Sequence, residues 1–443
     1  MPSRRKTSFR NAETGGTAES GTDQHRWVVF GIFAAVYFLV YFHRVSTSVI
    51  AADLVVSLNA SATALGFMSS MYFFAYAFEQ PLVGKLSDRL GPRRVVGIWS
   101  MVAAMGCGLF GSAPTIGWAS LGRALIGLGV GGVYVPAMKA FAQWFHIRQF
   151  STMTGLLLSC GNLGAIFATT PLAYMSITWG WRISFYVIGA VTLSLAILCL
   201  WLVRDQHPSA AMDVARGLSS QGTRPEPEAS ERPSMLQVIR SPRFWLLAIL
   251  FFGIFGSTIS FQGLWATPFL VTVFHMDRVA ASGLNMLIPI GFMLGAPLSG
   301  VLADRFFQNR ANLAILLISI IVCMWILIAF IPTDLGASGM GFVFFVLGGT
   351  TGGMASTLWG AVRENAPAAF LGTTTGLLNV FPLFGMAVMQ GVTGAILDRS
   401  ATVQGSYSPA GFQNAFLVCL GATGLCFFVC LWIRQSGKRL PRS

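Results

Sequence analysis

Charge is what this chain of 443 residues has least of. Asp, Glu, Lys and Arg together make up 10% of it, where soluble domains carry about 25%. That shortage excludes a large soluble core. Histidine is almost as sparse, at five residues, and the seven cysteines fall in apolar runs without any His at metal-ligand spacing. Cys426 and Cys430 are one helical turn apart and, with Cys107, Cys160, Cys199, Cys323 and Cys419, read as small packing residues, so neither a metal centre nor a disulfide framework is expected. No nucleotide-binding loop and no nucleophile–base constellation occurs, which argues against an ATP-driven motor and against an enzyme, and no cofactor is expected. What is abundant is apolar: 54% hydrophobic residues, 36 Phe and 49 Gly, with a mean hydropathy of +0.66. This is the composition of a polytopic helical membrane protein. The formal charge of +13 would suit nucleic acid only if the basic residues were gathered. They lie instead in short segments between apolar runs, so the lipid bilayer is the expected partner and nucleic acid is not.

A hydrocarbon core needs about 20 apolar residues per helix. Such runs begin near residues 27, 64, 95, 116, 152, 180, 243, 279, 311, 339, 372 and 411. Residues 1–26 are polar and basic and are expected to form a disordered tail. The run that follows is too long for a signal-peptide core, so no signal peptide is expected. Residues 204–242 include RPEPEASERP, a solvated linker by composition. The expected organisation is therefore an all-α membrane protein of twelve transmembrane helices: a six-helix half at 27–203, the linker, a six-helix half at 243–434 and a short tail at 435–443. With the N-terminus inside, about 23 Lys and Arg fall in inside segments and about 3 outside, which places both termini in the cytoplasm.

Two segments then stand out. GKLSDRLGPRR, from Gly84 to Arg94, follows the second run, and GVLADRFFQNR, from Gly300 to Arg310, follows the eighth. Equivalent loops of two halves carry one motif, the mark of an internal duplication. A second echo runs through spans 4–5 and 10–11, where glycine clusters, a Trp, an Arg and TGLL recur in order. Span 4 holds Gly127, Gly129, Gly131 and Gly132; span 10 holds Gly348, Gly349, Gly352 and Gly353. Such small faces let helices approach closely.

On these residues the chain resembles the major facilitator superfamily of transporters over nearly its whole length. Gly84, Leu86, Asp88, Arg89, Gly91, Arg93 and Arg94 match that family's signature after span 2. Gly300, Asp304 and Arg305 match it in the second copy, which lacks the later glycine. The resemblance implies two pseudo-symmetric halves that rock about a central site, with the motif packing the halves together in one conformation and releasing them in the other. Asp88 would suit a neighbouring helix N-terminus and Gly84 a close helix contact. The segment YFHRVSTSVIAADL resembles the anion:cation symporter branch, with Arg44 matched and His43 where that branch has Asp. Arg123 matches the branch's span 4 arginine, while Val130 replaces its usual Glu. Span 7 lacks the second arginine of organophosphate antiporters.

Ionisable side chains inside spans are costly and therefore functional candidates. Five occur, all in the first half: His43, Arg44, Glu79, Arg123 and Lys139. Arg44 and Arg123 each lie about seven residues below the outer end of their span, roughly 10 Å deep at 1.5 Å per residue. If both line a central cavity they make an anion site, because guanidinium forks match carboxylate or phosphate. Tyr41, Gln262, Trp265 and Asn379 are the further substrate-binding candidates, with Tyr37, Tyr134, Asn162, Asn285 and Gln390 as weaker ones. His43 and Glu79 are the candidates for proton coupling; Arg123 could also be structural or coupling. Lys139 is expected to snorkel to the interface, and the Met- and Phe-rich stretches to be packing.

The expected function is secondary active transport of a small solute, most simply an organic anion coupled to H+, by a monomer in a bacterial inner membrane. Two alternatives stay open: proton-antiport export of amphipathic compounds or metabolites, and permeation of a metal complex. A transporter-like sensor is more remote, given a plain tail and linker.

Overall fold

The computed structural model describes residues 16–205, 238–305, 310–365, 371–401 and 407–437, and every regular element among them is helical. In the first half these are α1 (Gly16–Leu58), α2 (Ala62–Leu90), α3 (Pro92–Gly111), α4 (Ile116–Gly131), α5 (Tyr134–Trp144), α6 (Ile147–Phe167) and α7 (Thr170–Leu202). In the second half they are α8 (Pro242–Ser260), a π-helical turn (Phe261–Trp265), α9 (Ala266–Val273), α10 (Arg278–Asn285), α11 (Leu287–Arg305), α12 (Arg310–Phe330), α13 (Pro332–Asn365), α14 (Leu371–Leu378), α15 (Val380–Arg399) and α16 (Pro409–Gly437). Consecutive pieces stack end to end, α4 with α5, α8 with the π turn and α9, α10 with α11, and α14 with α15, so the helices make twelve rods. Ten of these are long and apolar enough to cross a membrane. Of the other two, Thr152–Phe167 is shorter, and α2 carries Ser69, Ser70, Tyr72, Tyr76, Glu79 and Gln80. Helices are the natural solution because a bilayer core offers backbone groups no water to bond.

The chain is an all-α polytopic membrane protein whose halves repeat one packing scheme. Within the first half the rods that pair most extensively are the first with the fifth, the second with the fourth, and the third with the fourth and sixth. In the second half the seventh pairs with the eleventh, the eighth with the tenth, and the ninth with the tenth and twelfth. Close approaches at glycine fix the register of this repeat. Gly127 lies on the carbonyl of Tyr72, and Gly348 on that of Ile288; Gly164 lies on the carbonyl of Phe38, and Gly385 on that of Phe252. A Cβ at any of the four would strike backbone. Without a hydrophobic drive between helices in lipid, such contacts supply much of the association energy.

Two sequence expectations change here. The first helix begins at Gly16, inside the stretch expected to be a disordered tail, whose first 15 residues lie outside the described part, as does most of the expected linker. The first copy of the motif is not a loop either: Gly84 to Leu90 are the last turns of α2. Only Gly91 is a turn residue, held at φ +83°, where L side chains are strained. Pro92 then opens α3, and Asp205 accepts the Arg93 amide hydrogen at 2.7 Å, answering one free donor of that helix start. The second copy ends α11 at Arg305, and residues 306–309 lie outside the described part.

The halves meet tightly at the end opposite the motif. Asp398 of α15 accepts the amide hydrogens of Ala62 and Thr63 at 2.7 and 2.9 Å, a carboxylate on the positive end of α2. Arg278 of α10 makes a two-pronged bond to Asp53 of α1 at 2.6 and 2.7 Å, and Ser176 of α7 also donates to Asp53. The second and eleventh rods stay in contact further down, through Ser70 donating to the Ala387 carbonyl at 2.6 Å and Asn379 donating to Gln80 at 3.1 Å.

Candidate functional site

Below that seal lies a cavity of about 590 Å³ between the halves, a size suited to a small organic solute. Its wall extends from Arg44 and Gln262 toward Gly155, Trp359 and Thr375 nearer the motif end. At Gly84 and Gly300 no described atom of a neighbouring element lies within 4 Å of where a Cβ would sit. Among the described residues Asp88 pairs with Lys139 of α5 at 2.8 Å, and the same ammonium donates to the Ser87 carbonyl. Arg89, Arg94 and Arg305 are exposed. Lys139 thus extends to the exposed end of α2, the snorkelling expected of it, with Asp88 as its partner there.

Arg44 is the only charged side chain among the described residues of the cavity wall. Its guanidinium carbon sits 4.3 Å over the Tyr41 ring, a cation–π contact, and Tyr37, Tyr72 and Tyr76 surround it. The neighbouring rod is shaped around this point. Gly263, in the π turn, faces the Arg44 carbonyl, 2.7 Å from where its Cβ would lie. A π turn leaves backbone groups out of the regular ladder, and Asn285 repairs it by donating to the Gln262 carbonyl at 3.1 Å. The freed turn holds Gln262 in the cavity wall.

Of the six substrate-binding candidates, Arg44, Tyr41, Gln262 and Asn379 line the cavity, and two do not. Arg123 is fully buried inside the first half, where it donates to the His43 carbonyl at 3.0 Å and stands 4.7 Å from the Tyr72 ring. Tyr72 thus lies against one arginine and near the other. Trp265 turns away into the second half and donates to Thr393 at 2.7 Å. Both departures have one cause: membership of a cavity-lining rod does not say which side of the rod a residue occupies. Among the weaker candidates Tyr37, Tyr134 and Asn162 are in the wall, whereas Asn285 and Gln390 are buried between helices.

The two coupling candidates also lie behind the wall. His43 is fully buried, its Nε2 3.6 Å from the Cys107 sulfur and its Nδ1 without a described partner. Glu79 is buried between the second, third and fourth rods. One carboxylate oxygen accepts from Trp99 Nε1 at 2.7 Å; the other lies against Gly131 and has no described hydrogen-bond partner. Gly131 ends α4, and Pro136, which has no N–H to return to Gly132, enforces the break before α5. Glu79 therefore points into the discontinuity of the fourth rod, one helical turn from the cavity residue Tyr76.

The Phe-rich stretches expected to be packing supply Phe251, Phe255 and Phe292 to the cavity wall, and Tyr76 and Trp359, for which the sequence carried no expectation, line it too. Phe251 stacks on Phe255 at 5.7 Å and meets Trp359 at 4.6 Å. Periodicity alone could not separate them from core aromatics. Beside Trp359, Arg310, Gly360 and Arg363 form a second, basic recess. Among the described residues no cluster of His, Cys, Asp or Glu could hold a metal ion.

Two pseudo-symmetric helical halves enclosing a cavity sealed at one end define a membrane carrier. The comparisons with known proteins agree. Residues 33–390 match the Major Facilitator Superfamily, and the chain belongs to that family; it is a transporter and not an enzyme. It is 25% identical over 417 residues to a probable sulfoacetate transporter of Cupriavidus necator, covering 91% of this chain and 93% of that protein. It is 23% identical over 452 residues to a probable galactarate/D-glucarate transporter of Escherichia coli, covering 94% and 96%. The crystal structure of a bacterial homologue of the human lysosomal transporter Spinster, inward-facing and occupied, superposes with a TM-score of 0.73 at 16% identity, covering 93% of this chain and 97% of that one.

Proposed function

We propose that this transporter carries a small organic anion, held at its charged end by Arg44, by alternating access driven by a proton gradient. The observation that carries this reading is the solitary guanidinium in the cavity wall, with no acidic side chain among the described residues around it. A buried cation without a counter-ion is costly; an anionic solute supplies the missing partner and gains a charge-assisted bond. The anion-transporter names of the two relatives support the same class. The excess of Lys and Arg at the motif end supports a cytoplasmic location for that end, in a bacterial inner membrane. The seal at the far end supports reading this as the inward-facing state. Arg363 and Arg310 at the recess beside Trp359 would draw anions toward the mouth.

Proton coupling is assigned to Glu79. Its unpaired oxygen sits at the break of the fourth rod, a place where gain or loss of charge bears directly on how α4 and α5 are joined. His43, with its carbonyl engaged by Arg123, is placed to position that arginine. A thermal-unfolding screen of the purified protein with organic anions, organic cations and neutral amphiphiles tests the reading. A ligand at 100 times its dissociation constant adds about 2.7 kcal/mol. The expected result is a midpoint rise with an anion that Arg44→Gln removes; a rise with cations or neutral amphiphiles alone would put proton-antiport export first.

A further inference from the structure

The repeat register allows the two walls of the cavity to be compared position by position. With Phe38 equivalent to Phe252, Tyr72 to Ile288, and Gly164 to Gly385, Tyr37 corresponds to Phe251, Tyr41 to Phe255, Tyr76 to Phe292 and Asn162 to Leu383. All eight line the cavity. At each of these four pairs the first half has a polar group and the second half the apolar counterpart; Leu158 and Asn379, also both in the wall, are the pair of opposite sense. Arg44 corresponds to Thr258, which is buried out of the wall and accepts from Thr351 at 3.2 Å.

Several of the remaining polar side chains are already engaged with their own or a neighbouring helix. Asn162 donates to the Leu158 carbonyl, Ser159 to that of Gly155, and Asn379 to Gln80. Ser356 bonds Ser299 and the Gly353 carbonyl. A polyhydroxylated solute would have to bury hydroxyls against Phe251, Phe255, Phe292 and Met386, and an unpaired buried hydroxyl is expensive. A dianion would meet a single fixed positive charge.

From this two-faced wall we infer that the transported solute is an amphipathic monoanion: one carboxylate or sulfonate head held at Arg44 among the tyrosines, and an apolar, preferably aromatic, body lying on the phenyl wall of the second half. This rests on the anion site proposed above and narrows it away from sugar acids and short dianions. Aromatic bodies gain from stacking as well as from burial.

The test is equilibrium binding to the full-length protein in detergent, with 3-phenylpropionate, glucuronate, succinate and 3-phenylpropanol as probes. Expected is binding of 3-phenylpropionate at least about tenfold tighter than glucuronate or succinate, since burying a phenyl ring exceeds the energy of one decade. Arg44→Gln should abolish it, and Phe292→Ala should weaken it by a factor of about ten while leaving the unliganded unfolding midpoint close to wild type. Because the wild-type ranking needs no variant, it stands even if a variant fails to fold. Arg44-dependent binding of glucuronate or succinate that equals or exceeds that of 3-phenylpropionate would overturn the inference and leave the anion carrier intact. Binding of 3-phenylpropanol alone, or of none of the four, would overturn both.

Discussion

The two halves of this transporter share a packing plan and differ in chemistry. Gly127 on Tyr72 and Gly348 on Ile288 are the same contact written twice, and so are Gly164 on Phe38 and Gly385 on Phe252. Yet Arg44, Arg123, His43 and Glu79 all belong to the first half, and their counterparts in the repeat are Thr258, Phe344, Ser257 and Gly295. Backbone proximity cannot drift without losing helix association, so a duplicated chain keeps it on both sides. A buried charge costs several kcal/mol unless it has a task, so it persists only where a task exists. The comparison separates two kinds of position: backbone contacts that hold helices together occur in pairs, and buried ionisable groups occur singly.

The sharpest way to break that distinction is to remove Arg44 and its counterpart in turn. Arg44→Gln is expected to reduce solute binding by a factor of about 100 or more, because a charge-assisted bond contributes about 1.5–3 kcal/mol and the solute's own charge would then be buried unpaired. Arg44→Lys should retain part of it, as a point charge without the fork. Thr258→Val, which removes only a bond to Thr351, should leave binding within a factor of about three. Equal losses at both positions would mean that Arg44 acts through structure.

Next in size is the uncoupling of transport from the proton gradient. Glu79→Gln keeps the acceptor oxygen for Trp99 and removes the titratable group. In proteoliposomes, solute exchange without a gradient should persist near the wild-type rate while accumulation driven by an imposed pH gradient falls about tenfold or more. Loss of both would mark Glu79 as a structural partner of Trp99 and Gly131.

The paired glycines should behave alike. Gly127→Ala and Gly348→Ala each force a methyl against a backbone carbonyl, a strain of about 1–3 kcal/mol. Comparable drops in unfolding midpoint are expected for the two variants, whichever half carries the charge. A drop in one alone would show that the halves are not equivalently packed.

Much of this is legible in the sequence. Apolar run lengths gave the twelve rods, and GKLSDR with GVLADR gave the duplication. Arg44 announced itself because so few charges interrupt the spans. The sequence was silent on facing. Arg123 and Arg44 lie at a similar depth on cavity-lining rods, but one turns into the bundle and the other into the cavity. The phenol-to-phenyl correspondence was hidden for a different reason. The spacing of equivalents differs between the first and second rods of each half, since the loops between them differ in length. The motif spacing already pairs Tyr76 with Phe292, but only the glycine contacts tie Tyr37 to Phe251. One signal was available and small: the repeated motif extends backward through Pro81-Leu82 and Pro297-Leu298, placing a proline inside both α2 and α11.

The smallest expected effect concerns the mouth. Arg363 is exposed beside Trp359, so its interaction with an approaching anion is a screened, long-range one. Arg363→Gln should raise the KM for uptake from the motif side by a factor of about two to five at low ionic strength and leave kcat unchanged. At 0.5 M salt, where the screening length falls to roughly 4 Å, the variant and wild type should converge. If the difference survives high salt, Arg363 touches the solute directly, and the binding site extends from Arg44 past the phenyl wall to the basic recess.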